Sequence, residues 1–309
     1  MSIKHRLAAV TALGLMLAVA APQAASAQSG STRARMLVSA DWLKAHQADK
    51  GLIILFVGDH KDYDAGHIPG AEYVSLMSWS RASSGPDDLT LELPSADDLH
   101  AKLQGLGISD RSRIVVYAGK YNTQSATRIL FTLEAAGLGD RASLLDGGDT
   151  EWRRLGYSTS TAEPAVKPGV LAPIKYGDRV VDAAFVQSHA HAPGYKVIDA
   201  RAPAYYDGAM AGSGGLKGHV PGASSLPFSS VTGVDQKLKS ADDLAAEFKA
   251  AGVKPGDHVV AYCHVGQQAT AVIFAARSLG IDAVLYDGSF EDWSRRKLPV
   301  EAVAAPSAK

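Results

Sequence analysis

The sequence predicts an α/β protein made of two tandem copies of one unit, each a mostly parallel central sheet flanked by helices. Three observations predict it. Short motifs recur in the same order in both halves of the chain. Each half alternates strand-like with helix-like segments. The strand-like runs are apolar with little alternation, as strands covered on both faces are.

The repeat is read directly. Ser-Ala-Asp-Asp-Leu stands at 95–99 and again at 240–244, and His67-Ile68-Pro69-Gly70-Ala71 returns as His219-Val220-Pro221-Gly222-Ala223. Ala126-Thr127 matches Ala269-Thr270. Leu145-Asp146-Gly147-Gly148 with Glu151-Trp152 matches Tyr286-Asp287-Gly288-Ser289 with Asp292-Trp293. A period this long marks duplicated domains, not a solenoid.

In the first copy, 52–57, 114–118 and 143–145 read as strands, and 96–106 and 124–136 as helices. In the second copy the strands are 196–199, 258–262 and 283–286, and the helices 242–251 and 269–279. Ser95 and Ser240 sit as N-caps ahead of aspartates in the first turn. Gly137 and Gly280 follow the last helical residues. The chain divides into a signal peptide at 1–27, a first domain at 36–158, a linker at 159–178 and a second domain at 179–303. The linker is set by the Pro-, Ala-, Thr- and Lys-rich stretch from Thr159, which has no periodicity. Gly208–Gly218 reads as a flexible surface insertion. Its glycines lack the lysine–serine ending and following helix of a phosphate loop.

With 309 residues and a net charge of −1, the chain carries no basic surface for nucleic acid or anionic lipid. Lys4, His5 and Arg6 precede an apolar run from Leu7 to Ala21, and Ala25-Ser26-Ala27 offers a cleavage site before Gln28. The run is short of the roughly 20 residues that span a bilayer. The expectation is export, a periplasmic location, and no membrane contact after cleavage. One cysteine in an exported chain allows no internal disulfide and no resolving thiol, which argues against thioredoxin-like exchange.

That cysteine lies in Val259-Val260-Ala261-Tyr262-Cys263-His264-Val265-Gly266-Gln267-Gln268-Ala269-Thr270, a buried strand, a tight loop and a helix start. A loop that wraps over a helix N-terminus aims several N–H groups at one point, and the dipole adds positive potential. A thiol there is expected to be unusually acidic. Gly266 suits a curl that a side chain would obstruct. The competing reading is a buried structural cysteine. In the first copy, alignment through the strands puts Ala118 opposite Cys263, and alignment through the helices puts Lys120 there. That loop is about two residues longer and has no nucleophile at its tip, so the first copy is expected to be inactive.

These residues resemble the rhodanese family, specifically its tandem-domain sulfurtransferases, over nearly the whole mature chain. The resemblance rests on Cys263-x-x-Gly266-x-x-Ala269 after a strand, the paired His-x-Pro-Gly-Ala segments, Val197-Ile198-Asp199-Ala200-Arg201, and Asp287-Gly288-Ser289 with Trp293. It implies sulfur transfer by double displacement through a persulfide on Cys263, from a small anionic donor such as thiosulfate or mercaptopyruvate to a thiophilic acceptor, with no cofactor. The donor site is expected from His264, Val265, Gly266, Gln267 and Gln268, with Arg201 matching a substrate-binding arginine; the competing reading of Arg201 is a salt bridge to a neighbouring carboxylate. His264 and Val265 match neither the basic residues of the thiosulfate enzymes nor the Gly-Ser of the mercaptopyruvate enzymes, and Gln268 replaces a hydroxyl residue. A protonated His264 would favour an anionic donor and raise turnover at mildly acidic pH. His67 and His219, present in both copies, read as turn-forming. Asp199, Asp287 and Trp293 read as architectural. His189 and His191 lack the partners of a metal site.

Two other functions compete. A cysteine phosphatase shares the strand–loop–helix plan but needs an arginine where Ala269 stands. A non-catalytic binding or sulfur-carrier module would keep the fold without turnover.

Overall fold

The computed structural model describes residues 32–82, 85–120 and 122–303, so the expected signal peptide lies outside the described residues. Among the described residues no helix is long and apolar enough to cross a membrane.

Each half of the chain forms a five-stranded sheet with the same strand permutation. The first sheet holds β1 (Leu37–Val38), β2 (Leu52–Val57), β3 (Ala71–Val74), β4 (Arg113–Ala118) and β5 (Ala142–Leu145), in the order β1-β5-β4-β2-β3. The second holds β6 (Val180–Val181), β7 (Tyr195–Asp199), β8 (Ser224–Ser225), β9 (His258–Tyr262) and β10 (Ala283–Tyr286), in the order β6-β10-β9-β7-β8. All paired strands are parallel. The long inner strands are rich in Val, Ile, Leu and aromatics, and their last residues are buried on both faces. Full burial of such a side chain contributes about 1.5–3 kcal/mol. The edge strands β1, β3, β6 and β8 went unpredicted, because two to four residues at a sheet edge carry no readable period.

The helices at Ala96–Gly105, Thr123–Ala135, Ala241–Ala250 and Ala269–Ser278 fall within a residue of their predicted ends. Ser95 Oγ accepts from the Asp98 N–H, and Ser240 Oγ from the Asp243 N–H, both at 3.1 Å. Such a cap contributes about 1 kcal/mol. Gly137 and Gly280 both end their helices at φ +79°, where a side chain would be strained.

Two of these helices join the halves. Thr123–Ala135 and Ala269–Ser278 are buried almost all round, because each covers its own sheet and packs on the other. Thr127 and Thr270 hydroxyls, equivalent in the repeat, meet at 3.0 Å across this contact. One hydrophobic cluster therefore runs through both halves. The stretch from Thr159 forms no regular helix or strand, but it is not loose. Gly169 N–H donates to the Gln104 carbonyl at 2.7 Å and Leu171 is buried.

The paired histidines do the same structural work twice. His67 Nδ1 meets the Tyr63 carbonyl at 2.9 Å and its ring stacks on Tyr63; His219 Nδ1 meets the Tyr206 carbonyl at 2.8 Å and its ring stacks on Tyr206. His189 stacks on Phe185, and among the described residues no group of three potential metal ligands occurs. The glycine-rich segment Gly208–Gly218 departs from expectation. It is folded back, with the Gly212 N–H donating to the Leu216 carbonyl at 2.8 Å, and it packs on the helix Ser289–Arg295.

Candidate active site

Cys263 follows the last residue of β9, the middle strand of the second sheet, so it sits at a carboxyl strand end where α/β folds place ligands. Its backbone is held from the next loop. The Cys263 N–H donates to Ser289 Oγ at 3.2 Å, and the Cys263 carbonyl accepts from the Phe290 N–H at 3.0 Å. The His264 carbonyl accepts from the Glu291 N–H at 3.0 Å. Ser289 stands at φ +51°, a left-handed conformation, and its hydroxyl also donates to the Tyr286 carbonyl at 2.9 Å. The Asp-Gly-Ser motif thus anchors the start of the cysteine loop through its serine.

The loop then curls over the sulfur. The backbone N–H groups of Ala269, Val265, Gln268 and Gly266 are turned toward Cys263 and favour its thiolate. Gly266 makes the curl at φ +79°, and a Cβ there would lie 2.8 Å from the Asp287 carbonyl oxygen. The side chains of His264, Val265, Gln267 and Gln268 form a half-exposed rim, while Cys263 itself is 0% exposed. A donor therefore reaches the sulfur only by displacing part of that rim. Gln267 Nε2 donates to Ser125 Oγ of the first domain at 2.8 Å. Gln268 Oε1 is buried without a partner among the described residues. A cleft of about 440 Å³ runs along the two domain-joining helices past Phe131, Glu134, Phe274 and Arg277, but it touches neither Cys263 nor its loop.

The geometry of one strand-end thiol inside an amide ring, in the second of two equivalent units, invites comparison with known proteins. The rhodanese-like domain family matches residues 39–155 and again residues 182–296. The chain belongs to the rhodanese family. It is 29% identical to the sulfur carrier protein TtuD of Thermus thermophilus over 279 residues, covering 85% of this chain and 95% of that protein. It is also 29% identical to the thiosulfate sulfurtransferase of Gallus gallus over 281 residues, covering 86% and 95%. The crystal structure of the 3-mercaptopyruvate enzyme SseA from Escherichia coli superposes with a TM-score of 0.72 at 27% identity, covering 82% of this chain and 98% of that one.

In this rhodanese the first domain keeps the frame of the site without its sulfur. The Tyr117 hydroxyl accepts from the Ile68 N–H at 2.9 Å, as the Tyr262 hydroxyl accepts from the Val220 N–H at 3.0 Å. The residue after each tyrosine is then Ala118 in one unit and Cys263 in the other, which settles the register in favour of the strand alignment over Lys120.

Arg201 forms the salt bridge that its competing reading describes. It is 0% exposed, its Nε and Nη2 donate to the Asp199 carboxylate, and Nη2 also donates to the Gly218 carbonyl at 2.8 Å. Its guanidinium lies over the Phe290 ring at 3.9 Å. Nη1 has no partner among the described residues and faces Gly212, within 3.0 Å of where a Cβ would stand. The Tyr262 hydroxyl donates to the same carboxylate at 2.7 Å, so Asp199 and Arg201 form a sealed network beneath the loop. Asp287 is architectural, as expected: its carboxylate accepts from the Leu93 backbone N–H at 2.9 Å and from Arg128 at 2.6 Å.

The expected acidity of the thiol is overturned. Complete burial pushes the Cys263 thiol above its ordinary value of 9.0, and the amides of Ala269, Val265, Gln268 and Gly266 pull against that without cancelling it. Desolvation outweighs the amide ring because the sulfur meets no water. Burial, and then the nearby Arg201 charge, hold the His264 imidazole below its ordinary 6.5. The two shifts oppose the expected acid-side gain. At neutral pH His264 is uncharged, and lowering the pH protonates the thiolate before it charges the imidazole. Alkylation of Cys263 by iodoacetamide should therefore fall steadily from about pH 9 to about pH 6, and thiosulfate turnover should show no acidic rise. A turnover maximum on the acid side of neutrality would contradict this assignment.

Sequence reasoning missed three contributors to the site. Ser289 was read only as part of a motif. Arg128 lies in the first copy, whose loop carries no thiol to draw attention to it. Tyr205 packs edge-on against His264 with ring centroids 4.5 Å apart, forming an aromatic wall beside the rim. Only the strand–helix pattern around Pro203 could have hinted at Tyr205, because its neighbour becomes visible only when β7 and β9 are paired.

Proposed function

We propose that this sulfurtransferase moves sulfane sulfur from thiosulfate or 3-mercaptopyruvate to a thiophilic acceptor, through a persulfide on Cys263. The observation that carries the reading is the convergence of four backbone N–H groups on one buried sulfur at a strand end. Displacement of the rim opens the sulfur, and the thiol passes its proton to the water that then reaches it. The thiolate attacks the outer sulfur of the donor, forming an S–S bond. The donor's own bond to that sulfur breaks, and sulfite (or the enolate of pyruvate) leaves with the electron pair. The acceptor, cyanide or a thiolate, then attacks the outer persulfide sulfur, and the Cys263 thiolate is released. The amide ring stabilises anionic sulfur at each stage, as an oxyanion hole stabilises oxygen. His264, Val265, Gln267 and Gln268 shape the donor entrance. Arg201, matched by Asp199, holds the loop floor and contributes its field more than a contact.

A second reading, a carrier that takes up sulfur and passes it to a protein partner without turnover on small acceptors, draws on the likeness to a protein named a sulfur carrier. Both readings use the same persulfide. Steady-state assays with thiosulfate and mercaptopyruvate side by side, cyanide as acceptor, separate them. The enzyme reading predicts parallel double-reciprocal lines with at least one donor. Stoichiometric loading followed by no turnover with either donor would favour the carrier.

A further inference from the structure

Arg128 belongs to the first-domain helix Thr123–Ala135, yet its guanidinium lies inside the site of the second domain and is 2% exposed. Nη1 donates to Asp287 Oδ1 at 2.6 Å and to the Gly266 carbonyl at 3.3 Å, and Nη2 donates to the Leu91 carbonyl. The other oxygen of Asp287 accepts from the Leu93 N–H at 2.9 Å. One side chain thus joins the left-handed glycine of the sulfur loop, the carboxylate behind it, and a first-domain segment that crosses the site. Leu91 in that segment is itself left-handed at φ +60° and buried.

A buried ion pair is weak evidence of stabilisation, because removing two charges from water costs as much as their attraction returns. Its geometry explains it better. Holding the Gly266 carbonyl fixes the peptide on one side of the residue whose N–H faces the sulfur. Pairing with Asp287 cancels a negative charge at the loop, since Asp287 Oδ1 lies 3.0 Å from where a Gly266 Cβ would stand. An uncompensated carboxylate there would oppose both a thiolate and an approaching anion.

We propose that Arg128, supplied by the thiol-free domain, is a positioning residue for the chemistry at Cys263, fixing the amide ring at Gly266 and cancelling the charge of Asp287. The second domain's site is then complete only with the first domain docked on it. This deepens the sulfurtransferase reading and rests on it for turnover alone. The other charged and titratable groups about the loop and Asp287 include the His264 imidazole, the Asp199–Arg201 pair, Glu92 paired with Arg81, Tyr176, and Glu291, which is bound by Thr90 and Arg295.

The test uses the full-length protein with Arg128→Met, Arg128→Lys, Asp287→Asn, and the Arg128→Met, Asp287→Asn double variant. Iodoacetamide alkylation of Cys263 is followed across pH, beside kcat and KM for thiosulfate and a thermal melt. Arg128→Met should move the alkylation profile alkaline by about one pH unit, about tenfold slower at neutral pH. Arg128→Lys should recover much of the shift, and the double variant should lie nearer the parent than Arg128→Met alone. Asp287→Asn, which leaves the cation unmatched, should move the profile the opposite way and decides the matter if Arg128→Met fails to fold. A profile that stays in place in the folded variants, whatever their melting temperatures, would overturn the proposal by reducing Arg128 to an interface prop. If the parent takes up no sulfur, the transfer reading fails while the alkylation result still stands or falls by itself.

Discussion

Gly266→Ala should cost at least about a hundredfold in kcat/KM and roughly 1–3 kcal/mol in stability. Two separate penalties act at this residue. The backbone is left-handed at φ +79°, and the new Cβ would meet the Asp287 carbonyl at 2.8 Å, Arg128 Nη1 at 3.0 Å and Asp287 Oδ1 at 3.0 Å. The nearest contact is backbone, so it cannot swing aside. Relief comes only by moving the loop, which withdraws amides from the sulfur. Gly256 supplies the comparison. It is equally left-handed at φ +86°, but nothing lies within 4 Å of its Cβ position. Gly256→Ala should lose about 1 kcal/mol and leave turnover unchanged. Thermal melts and thiosulfate kinetics on the two variants separate strain from clash. Equal turnover in both would mean the ring does not depend on that curl.

Cys263→Ser should lower turnover by at least about a thousandfold while the protein stays folded. Serine is close in size, and its hydroxyl oxygen accepts from the amides that now face sulfur, so the change in stability should stay under about 2 kcal/mol. The hydroxyl cannot carry sulfane sulfur, because no base stands ready to ionise it and an oxygen–sulfur link would not be handed on. Stopped assays with cyanide measure the loss. Turnover within tenfold of the parent would show that another group carries the sulfur.

Much of this was legible in the chain. The inner strands and four main helices were readable because apolar runs and capping serines are local signals, and the repeat checked each half against the other. The position of Cys263 followed from strand, loop and helix in a row. What was not legible depended on long-range pairing. Arg128 and Gly266 are 138 residues apart in sequence, and no local pattern joins them. The acidity of Cys263 was misread because the loop amides are visible in sequence and the depth of burial is not. The choice between the two readings of Arg201 was not legible for a related reason. Asp199, two residues earlier, lies on the same side of the chain only because the backbone turns immediately after β7, letting the carboxylate also receive the Arg201 N–H at 3.0 Å.

Intact-protein mass after incubation with each donor and removal of the excess puts the claim to its plainest trial. A gain of one sulfur, about 32 Da, that is absent in Cys263→Ser and disappears on adding cyanide, is the predicted result. An unchanged mass with both thiosulfate and mercaptopyruvate, or a gain that persists without the Cys263 thiol, would contradict it.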